Sequence, residues 1–246
     1  MNTVTTAVAH PPFAAVKVRR RPFLSFYTGL SIAMALVVFV GFAPTYYMKT
    51  VFGTPPLGNL YHVHGFLFTC WMLLLIAQPA LVAAGRTALH RRVGVAGGLL
   101  AAGMVVAALA VSIDLGRRGA SPPGVPPLVF LVVPLMTVVV FPVLIGAALW
   151  WRNNPETHKR LMLIGSMELI TAGFGRWPVV GPLGPMAYFA ATDLFVLALL
   201  VHDRATAGRF HRATLWGGLF LIASQPLRLM IGGTDTWQAF ARWLIM

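Results

Sequence analysis

The sequence predicts an all-α integral membrane protein, a bundle of seven transmembrane helices, and three observations carry that prediction. Of 246 residues, 58% are hydrophobic and only 10% are charged, whereas a soluble domain carries about 25% charged residues. Seven apolar segments approach or exceed the roughly 20 residues that cross the hydrocarbon core of a bilayer. Basic residues gather in the short connections between those segments, which is the pattern that membrane topology selection produces.

The seven predicted spans follow one another with short connections. The fourth contains Pro134 and Pro142, so we expect it to bend, and the fifth is short for a span. The predicted spans are residues 23–42, 60–83, 92–113, 128–151, 159–174, 185–202 and 211–231.

Three regions follow from this assignment. They are a cytoplasmic tail (1–22), the transmembrane domain (23–231) and a periplasmic tail (232–246). In the last region Trp237, Phe240, Trp243 and Leu244 share one helical face, which predicts a helix lying at the membrane interface.

The distribution of lysine and arginine predicts a cytoplasmic N-terminus and a C-terminus on the opposite, periplasmic side. The basic cluster at positions 17–21 leads into an apolar segment that is too long for the core of a signal peptide, so we interpret it as a tail and a retained first helix. On this topology the cytoplasmic side holds Lys17, Arg19, Arg20, Arg21, Arg86, Arg91, Arg92, Arg152, Lys159, Arg160, Arg204, Arg209 and Arg212. The periplasmic side holds Lys49, Arg117, Arg118, Arg176 and Arg242.

The formal net charge of +13 would suggest nucleic-acid binding in a soluble protein. Here the positive charge lies next to predicted spans, so we expect it to contact anionic lipid head groups on the cytoplasmic face and not nucleic acid. The single cysteine, Cys70, excludes a disulfide within one chain. We interpret Cys70 as a small buried apolar residue.

Three segments share one pattern, a histidine followed by a basic residue, with a glycine seven positions later. The histidines are His90, His158 and His211. Two interpretations stay open. The pattern is typical of helices that enter the membrane from the cytoplasm and pack closely at glycine. Alternatively, the three imidazoles converge at the cytoplasmic end and hold a cofactor, with haem b as the candidate.

A second set of polar residues lies in the outer half of the predicted spans, where charged groups facing lipid are costly. Glu168 and Asp193 balance Arg176 and Arg228 in sign, so we expect pairing, with Asp193 paired to one of the two arginines. Two interpretations are open again, a structural network and an outward-facing pocket with His64 at its lip. The predicted pocket residues are His64, Gln78, Glu168, Arg176, Asp193, Gln225 and Arg228.

Several segments resemble a family of uncharacterised multi-pass bacterial inner-membrane proteins. They are "HVHGFLFTCW", "GRTALHRRVG", "THKRLM", "GRWP" and "WGGLFLIASQPLR". The resemblance extends over most of the chain and implies the multi-pass fold and a location in the bacterial inner membrane, but no activity. The histidine motifs are also loosely similar to those of haem-bearing membrane cytochromes. Those bundles place histidine pairs inside facing helices, whereas most histidines here lie at helix ends.

Signatures of soluble enzymes, such as a nucleophile elbow, a phosphate-binding loop or a zinc-protease helix, do not occur. Whether the protein is an enzyme is therefore open. Three functions are compatible with the sequence. The first is a redox or cofactor-binding protein that holds haem or quinone at the histidine-bearing helix ends. The second is a transporter-like binder of a small molecule in the outward-facing pocket. The third is an accessory subunit that contacts a partner membrane protein.

Overall fold

The computed structural model describes residues 25–122 and 124–246, and the predicted tail 1–22 with its basic cluster lies outside them. The described chain is helical throughout, without a β-strand, which confirms the all-α fold. The helices are α1 (Phe26–Phe42), α2 (Asn59–Ala83), α3 (Thr87–Arg117), α4 (Pro127–Phe130), α5 (Val132–Trp150), α6 (Pro155–Phe174), α7 (Pro185–Ala207), α8 (Arg212–Gly232) and α9 (Asp235–Ile245).

Six stretches of the described chain are long and apolar enough to cross a membrane, as judged by length and composition. They are Phe26–Tyr47, Asn59–Ala83, Thr87–Arg117, Pro127–Trp150, Pro185–Ala207 and Arg212–Gly232. The predicted fifth span, α6, is not among them, because it carries four charged residues in 20. Large apolar side chains such as Leu99, Val106 and Leu73 are 62–74% exposed on the outside of the bundle, which is the surface that lipid would cover.

Helix α6 is the centre of the bundle. Thirteen of its 20 residues are buried, and α1, α5, α7 and α8 pack around it. A helix enclosed by other helices does not need an apolar surface of its own. The neighbours of α6 therefore allow it to carry charge, provided that each buried charge finds a partner.

Contacts along α6 fix the helix directions. Arg160 near its start bonds Asp203 near the end of α7, whereas Thr171 near its end bonds Thr192 near the start of α7. Helix α7 is thus antiparallel to α6. The same reasoning with Thr137 and His158 makes α5 antiparallel as well. We call the end of the bundle with the connections 84–86, 151–154 and 208–211 the basic end, and the opposite end the far end.

Close helix crossing explains several glycines. At Gly41 a Cβ atom would overlap the backbone of Gly173, so α1 and α6 touch backbone to backbone. Small residues permit such an approach in membrane bundles. In α2, a Cβ on Gly65 would overlap the ring of Tyr46, so this glycine makes room for a tyrosine and not for the neighbouring imidazole of His64.

Proline shapes two elements differently from the predicted spans. The predicted fourth span is divided at Leu131 into α4 and α5, because Pro134 has no N–H to donate to the carbonyl of Phe130. The first span ends in a π-helical turn, Ala43–Tyr47, that contains Pro44. The turn directs Tyr46 and Tyr47 toward α2, where they bond the His62 carbonyl and the Thr69 hydroxyl.

The predicted tail helix is present as α9, and it is docked on the bundle. Trp237 Nε1 donates to the Leu128 carbonyl at 2.7 Å, and Arg117 Nε donates to the Ile245 carbonyl at 3.2 Å. Phe240 and Trp243 stay exposed, at 45% and 66%. The position of α9 at a membrane interface remains a prediction.

Candidate functional site

The far end contains a cavity of about 220 Å³ that we call the far-end pocket. It lies between α1 with its π-helical turn, the start of α2, and α6. Two of the predicted pocket residues, His64 and Arg176, line it together. The complete lining is Val38, Phe42, Thr45, Tyr46, Tyr47, Leu57, Tyr61, His64, Gly65, Phe68, Met72, Leu169 and Arg176.

His64 lines this pocket with a polar ring atom that lacks a hydrogen bond among the described residues. Its ring stacks on Phe68 at 4.1 Å between centroids. Its Nδ1 atom is buried and has no hydrogen-bond partner in the described chain. Buried polar atoms normally have a partner, so an orphaned ring nitrogen requires an explanation. The neighbouring His62 is exposed and does not line the pocket.

Arg176 supplies positive charge at the same cavity. Its guanidinium lies over the Phe42 ring at 4.2 Å from the centroid, and its Nη1 donates to the Ala172 carbonyl at 2.9 Å. None of the ion pairs in the described residues includes Arg176. Its remaining N–H donors are available to a ligand.

The three tyrosine hydroxyls near the pocket are already engaged. The Tyr46 hydroxyl donates to the His62 carbonyl at 3.2 Å. The Tyr47 hydroxyl is hydrogen-bonded to the Thr69 hydroxyl at 2.9 Å, and the Tyr61 hydroxyl donates to Asp114 at 2.8 Å. The tyrosines therefore offer mainly the faces and edges of their rings. Together with Phe42 and Phe68 they make the walls aromatic, so the polar recognition groups are His64 and Arg176.

The predicted pocket residues form several groups and do not share one cavity. Glu168 and Arg228 are both buried and form an ion pair at 2.7 Å. Glu168 also accepts from Thr137 at 2.7 Å, and Arg228 donates to Ser224 at 2.9 Å. This arrangement satisfies both charges within the protein, which is what a structural cross-link between α5, α6 and α8 requires.

Asp193 is bonded differently from the sequence prediction. It accepts from Gln225 Nε2 at 2.8 Å, and Arg228, the arginine that was a predicted partner, is bound to Glu168. The expected Asp193–arginine pair is thus wrong. The register of α8 explains the difference, because Gln225 and Arg228 lie one turn apart and face different neighbours.

Gln78 lies at the other end of α2, about 21 Å along the helix from His64. Its side-chain amide faces His90 on α3, and the orientation that satisfies both groups has the amide nitrogen donating to His90 Nδ1. Gln78 therefore belongs to the basic end and not to the far-end pocket.

At the basic end, two of the three predicted cofactor histidines meet. The rings of His90 and His158 are 6.4 Å apart between centroids and nearly perpendicular. His158 Nδ1 bonds the Ala148 carbonyl at 2.8 Å. The Ala148 carbonyl can only accept, so His158 Nδ1 carries the hydrogen and its Nε2 is free to bind a ligand, which is how ligating histidines are commonly oriented. His90 is in the opposite state, because its Nδ1 accepts from Gln78 and its Nε2 therefore carries the hydrogen.

His211 has another local role. It caps α8, with Nδ1 accepting from the Ala213 N–H at 3.1 Å. Among the described residues, no group of three histidine, cysteine or acidic side chains is arranged to hold a metal ion. The three histidines therefore do not converge on a single point in the described structure.

A buried ion-pair network at the basic end was missed in the sequence analysis. Asp203 is fully buried and accepts from Arg160 Nε at 2.9 Å, from Thr214 at 2.5 Å and from the His211 N–H at 3.3 Å. Arg160 also bonds Glu156 at 2.6 Å. The sequence did contain a signal for this network, because the carboxylates Glu156 and Asp203 lie among many basic residues. Its hydrogen bonds join α6, α7 and α8.

The chain was compared with protein-family models, curated proteins and solved structures. No family model matches it, and neither a curated protein nor a solved structure matches significantly. The resemblance to a multi-pass bacterial family therefore stays a prediction, and the function rests on the geometry of this molecule.

Proposed function

We propose that this protein is a multi-pass membrane protein that binds a small organic anion in the far-end pocket. The observation that carries the proposal is the buried, unpartnered Nδ1 of His64 in a cavity that also holds an arginine without a carboxylate partner. A ligand oxygen would satisfy both groups. This proposal corresponds to the transporter-like binder of a small molecule, one of the three functions that are compatible with the sequence.

The chemistry of the pocket defines the ligand further. Its aromatic walls favour a flat apolar body, and its cation favours a carboxylate, which guanidinium binds through parallel N–H donors. A volume of about 220 Å³ is below the roughly 300–1,000 Å³ of sites for drug-sized molecules. The expected ligand is therefore compact, with one ring and one acidic group.

Binding is testable with a pair of probes that differ only in charge. The purified protein in lipid nanodiscs is titrated with benzoate and with benzamide, and binding is followed by calorimetry. We expect benzoate to bind at least about tenfold more tightly, a difference of about 1.4 kcal/mol. Arg176→Gln should abolish this preference, and His64→Phe should weaken binding.

The matched control is His62→Gln, which alters an exposed histidine two residues away on the same helix. It should leave benzoate affinity unchanged. Equal affinity for both probes would overturn the proposal of an anion site. Binding of a short-chain quinone in place of benzoate would instead assign the pocket to a neutral carbonyl ligand, the quinone alternative.

We also propose the arrangement in the membrane: seven spans that include α6, an N-terminus in the cytoplasm, and a location in the bacterial inner membrane. The placement of arginines supports the orientation. Most of the described basic residues lie at the basic end, and all of them except Arg160, which is buried and bound to Asp203, would contact anionic lipid head groups there. Those at that end are Arg86, Arg91, Arg92, Arg152, Lys159, Arg160, Arg204, Arg209 and Arg212.

A second candidate function, haem binding at the basic end, is favoured by one specific observation, the adjacency of His90 and His158. The Nε2 atom of His158 would be one ligand, oriented by the hydrogen bond of its Nδ1 to the Ala148 carbonyl. His90 would be the second ligand only after its Nδ1 gives up the hydrogen bond from Gln78 and takes the ring hydrogen. Haem would supply one-electron chemistry. A visible absorption spectrum of the same purified protein, with His90→Ala and His158→Ala as controls, tests this candidate.

A further inference from the structure

Asp193 lies within α7, one of the candidate membrane spans. It is about 12 Å along the helix axis from the start of α7 at Pro185. Its partner Gln225 lies about 10 Å before the end of the antiparallel α8. If the two helices cross the bilayer, the carboxyl group is in the outer part of the hydrocarbon core and away from bulk water.

The groups that face Asp193 provide no positive charge. On α8, Gln225 gives one neutral N–H at 2.8 Å, and Arg228 one turn later is held by Glu168 at 2.7 Å. On α6, Arg160 is bound to Asp203 at the basic end, and Arg176, which follows the end of α6, lies over the Phe42 ring at the far end. Within the described residues, no cation reaches ion-pair distance of Asp193.

Asp193 is also accessible from the side of the bundle, because it lies at the border between the buried and the outer face of α7. Met186 and Leu197, seven residues before and four after it, are 66% and 53% exposed. Phe189 and Val196, on the other side, are buried. Asp193 itself is half-buried. By contrast, Glu168 is fully enclosed.

We propose that Asp193 is a proton-binding carboxyl that is open to the lipid between α7 and α8. An ionised carboxylate in hydrocarbon with a single amide donor is costly, and taking up a proton removes that cost. The protonated group keeps its hydrogen bond from Gln225. A proton site next to the bundle core gives the protein a means to bind and release a proton within the membrane, independently of the far-end pocket.

A hydrophobic carbodiimide tests this proposal, because it partitions into lipid and reacts with protonated carboxyl groups. The carboxyl oxygen forms a bond to the central carbon of the carbodiimide, and the proton moves to one of its nitrogens. The resulting O-acylisourea rearranges by transfer of the acyl group from oxygen to nitrogen, which gives a stable N-acylurea. No atom is lost, and neither an oxidant nor a reductant is required.

The full-length protein in nanodiscs is treated with dicyclohexylcarbodiimide and examined by peptide mass spectrometry. We expect one dominant adduct at Asp193, with a labelling rate that falls as the pH rises. Asp193→Asn should lose this adduct. Glu168 is the internal control, because it is buried in a helix at similar depth but is paired with Arg228, and it should stay unmodified.

Any of three results would overturn the proposal. The first is the absence of an adduct at Asp193 in the folded wild-type protein, and the second is equal labelling of Glu168. The third is labelling of Asp193 by a water-soluble carbodiimide but not by the hydrophobic one, which would mean that the carboxyl group faces water. Because neither measurement involves the pocket ligand, failure here leaves the proposed anion binding to its own test.

Discussion

At the scale of single residues, the charges inside the bundle are compensated in different ways. Glu168 and Arg228 form an ion pair, as the sign balance of the outer-half charges predicted. Asp193 instead receives an amide from Gln225. Gln225 and Arg228 lie one turn apart on α8, so a small difference in how α8 sits against α6 and α7 decides which of them reaches which carboxylate. Such a register is set by packing of the whole helix, which residue spacing alone does not reveal.

His211 shows the same limit, and its structural role leads to a prediction about pH. Burial, and then the nearby Arg160, lower the pKa of His211 below its ordinary value. The other charged groups near it are Asp203, Glu156 and Lys159. Because Nδ1 accepts the N–H of Ala213, the cap needs an imidazole that is unprotonated at this atom. The unfolded chain therefore takes up the proton more readily than the folded chain, and this contribution to stability is lost as the pH falls.

The variant His211→Asn keeps a capping side chain but does not titrate. Between about pH 7.5 and about pH 5.5, which brackets the ordinary histidine pKa, the midpoint of thermal unfolding should fall more for the wild type than for this variant. Other histidines titrate in both proteins, so the difference between the two curves isolates His211. Parallel curves would show that the imidazole does not act as a pH-sensitive cap.

At the scale of elements, apolar periodicity located the helices well and their ends less well. The predicted fifth span began at residue 159, whereas α6 begins at Pro155 and is capped by Asn154, whose side chain accepts from the Thr157 N–H. The prediction was based on hydrophobicity and therefore left out the first turn of α6, which is polar. Asn154 and Pro155 nevertheless indicated the true start, since asparagine is preferred as an N-cap and proline in the first helical turn.

The crossing of α1 and α6 allows a prediction about helix packing. A Cβ on Gly41 would overlap the backbone of Gly173, which has no flexible side chain to move away. Gly41→Ala should therefore separate the two helices and destabilise the protein by about 1–3 kcal/mol. Gly29→Ala in the same helix is the control, because nothing lies within 4 Å of its added methyl group.

Both variants gain the same helix propensity, so the control should be neutral or slightly stabilised. The free energy of unfolding is measured in detergent micelles. Equal stability of the two variants would contradict a backbone contact between α1 and α6. The crossing matters for the site as well, because it lies beside the far-end pocket, which α1 and α6 both line.

At the scale of the whole molecule, composition predicted the helical membrane fold. A chain with few charges and apolar runs of about 20 residues is suited to cross a bilayer, where a helix bonds all its backbone polar groups internally. The arrangement of helices was beyond the sequence. The expected pocket joined residues of α2, α6, α7 and α8, whereas the cavity lies between α1, α2 and α6. The depth of a residue in the membrane can be estimated from its position along a predicted span. Which helices lie next to each other around the bundle axis cannot be read from the sequence in this way. Residues of similar depth were therefore grouped, although only His64 and Arg176 line the cavity and the others bond to neighbours elsewhere in the bundle.

The last prediction concerns α6, which decides whether the chain crosses the membrane seven times. Its composition fails the criteria for a span, yet its 20 residues measure about 30 Å, the thickness of the hydrocarbon core. It runs antiparallel to α5 and α7 along the bundle, and its buried charges are paired with Asp203 and Arg228. Since other helices surround it, α6 can cross without exposing charge to lipid.

If α6 crosses, the connections before and after it lie on opposite sides of the membrane. Single cysteines are introduced at Asn153 and at Val179, which are both exposed, in a Cys70→Ser background, and each is tested in intact cells with a membrane-impermeant maleimide. The cysteine at 179 should be labelled from outside, and the one at 153 only after the cells are opened. Labelling of both from the same side would show that α6 returns without crossing. The number of spans would then be six, and the two ends of the chain would lie on the same side of the membrane.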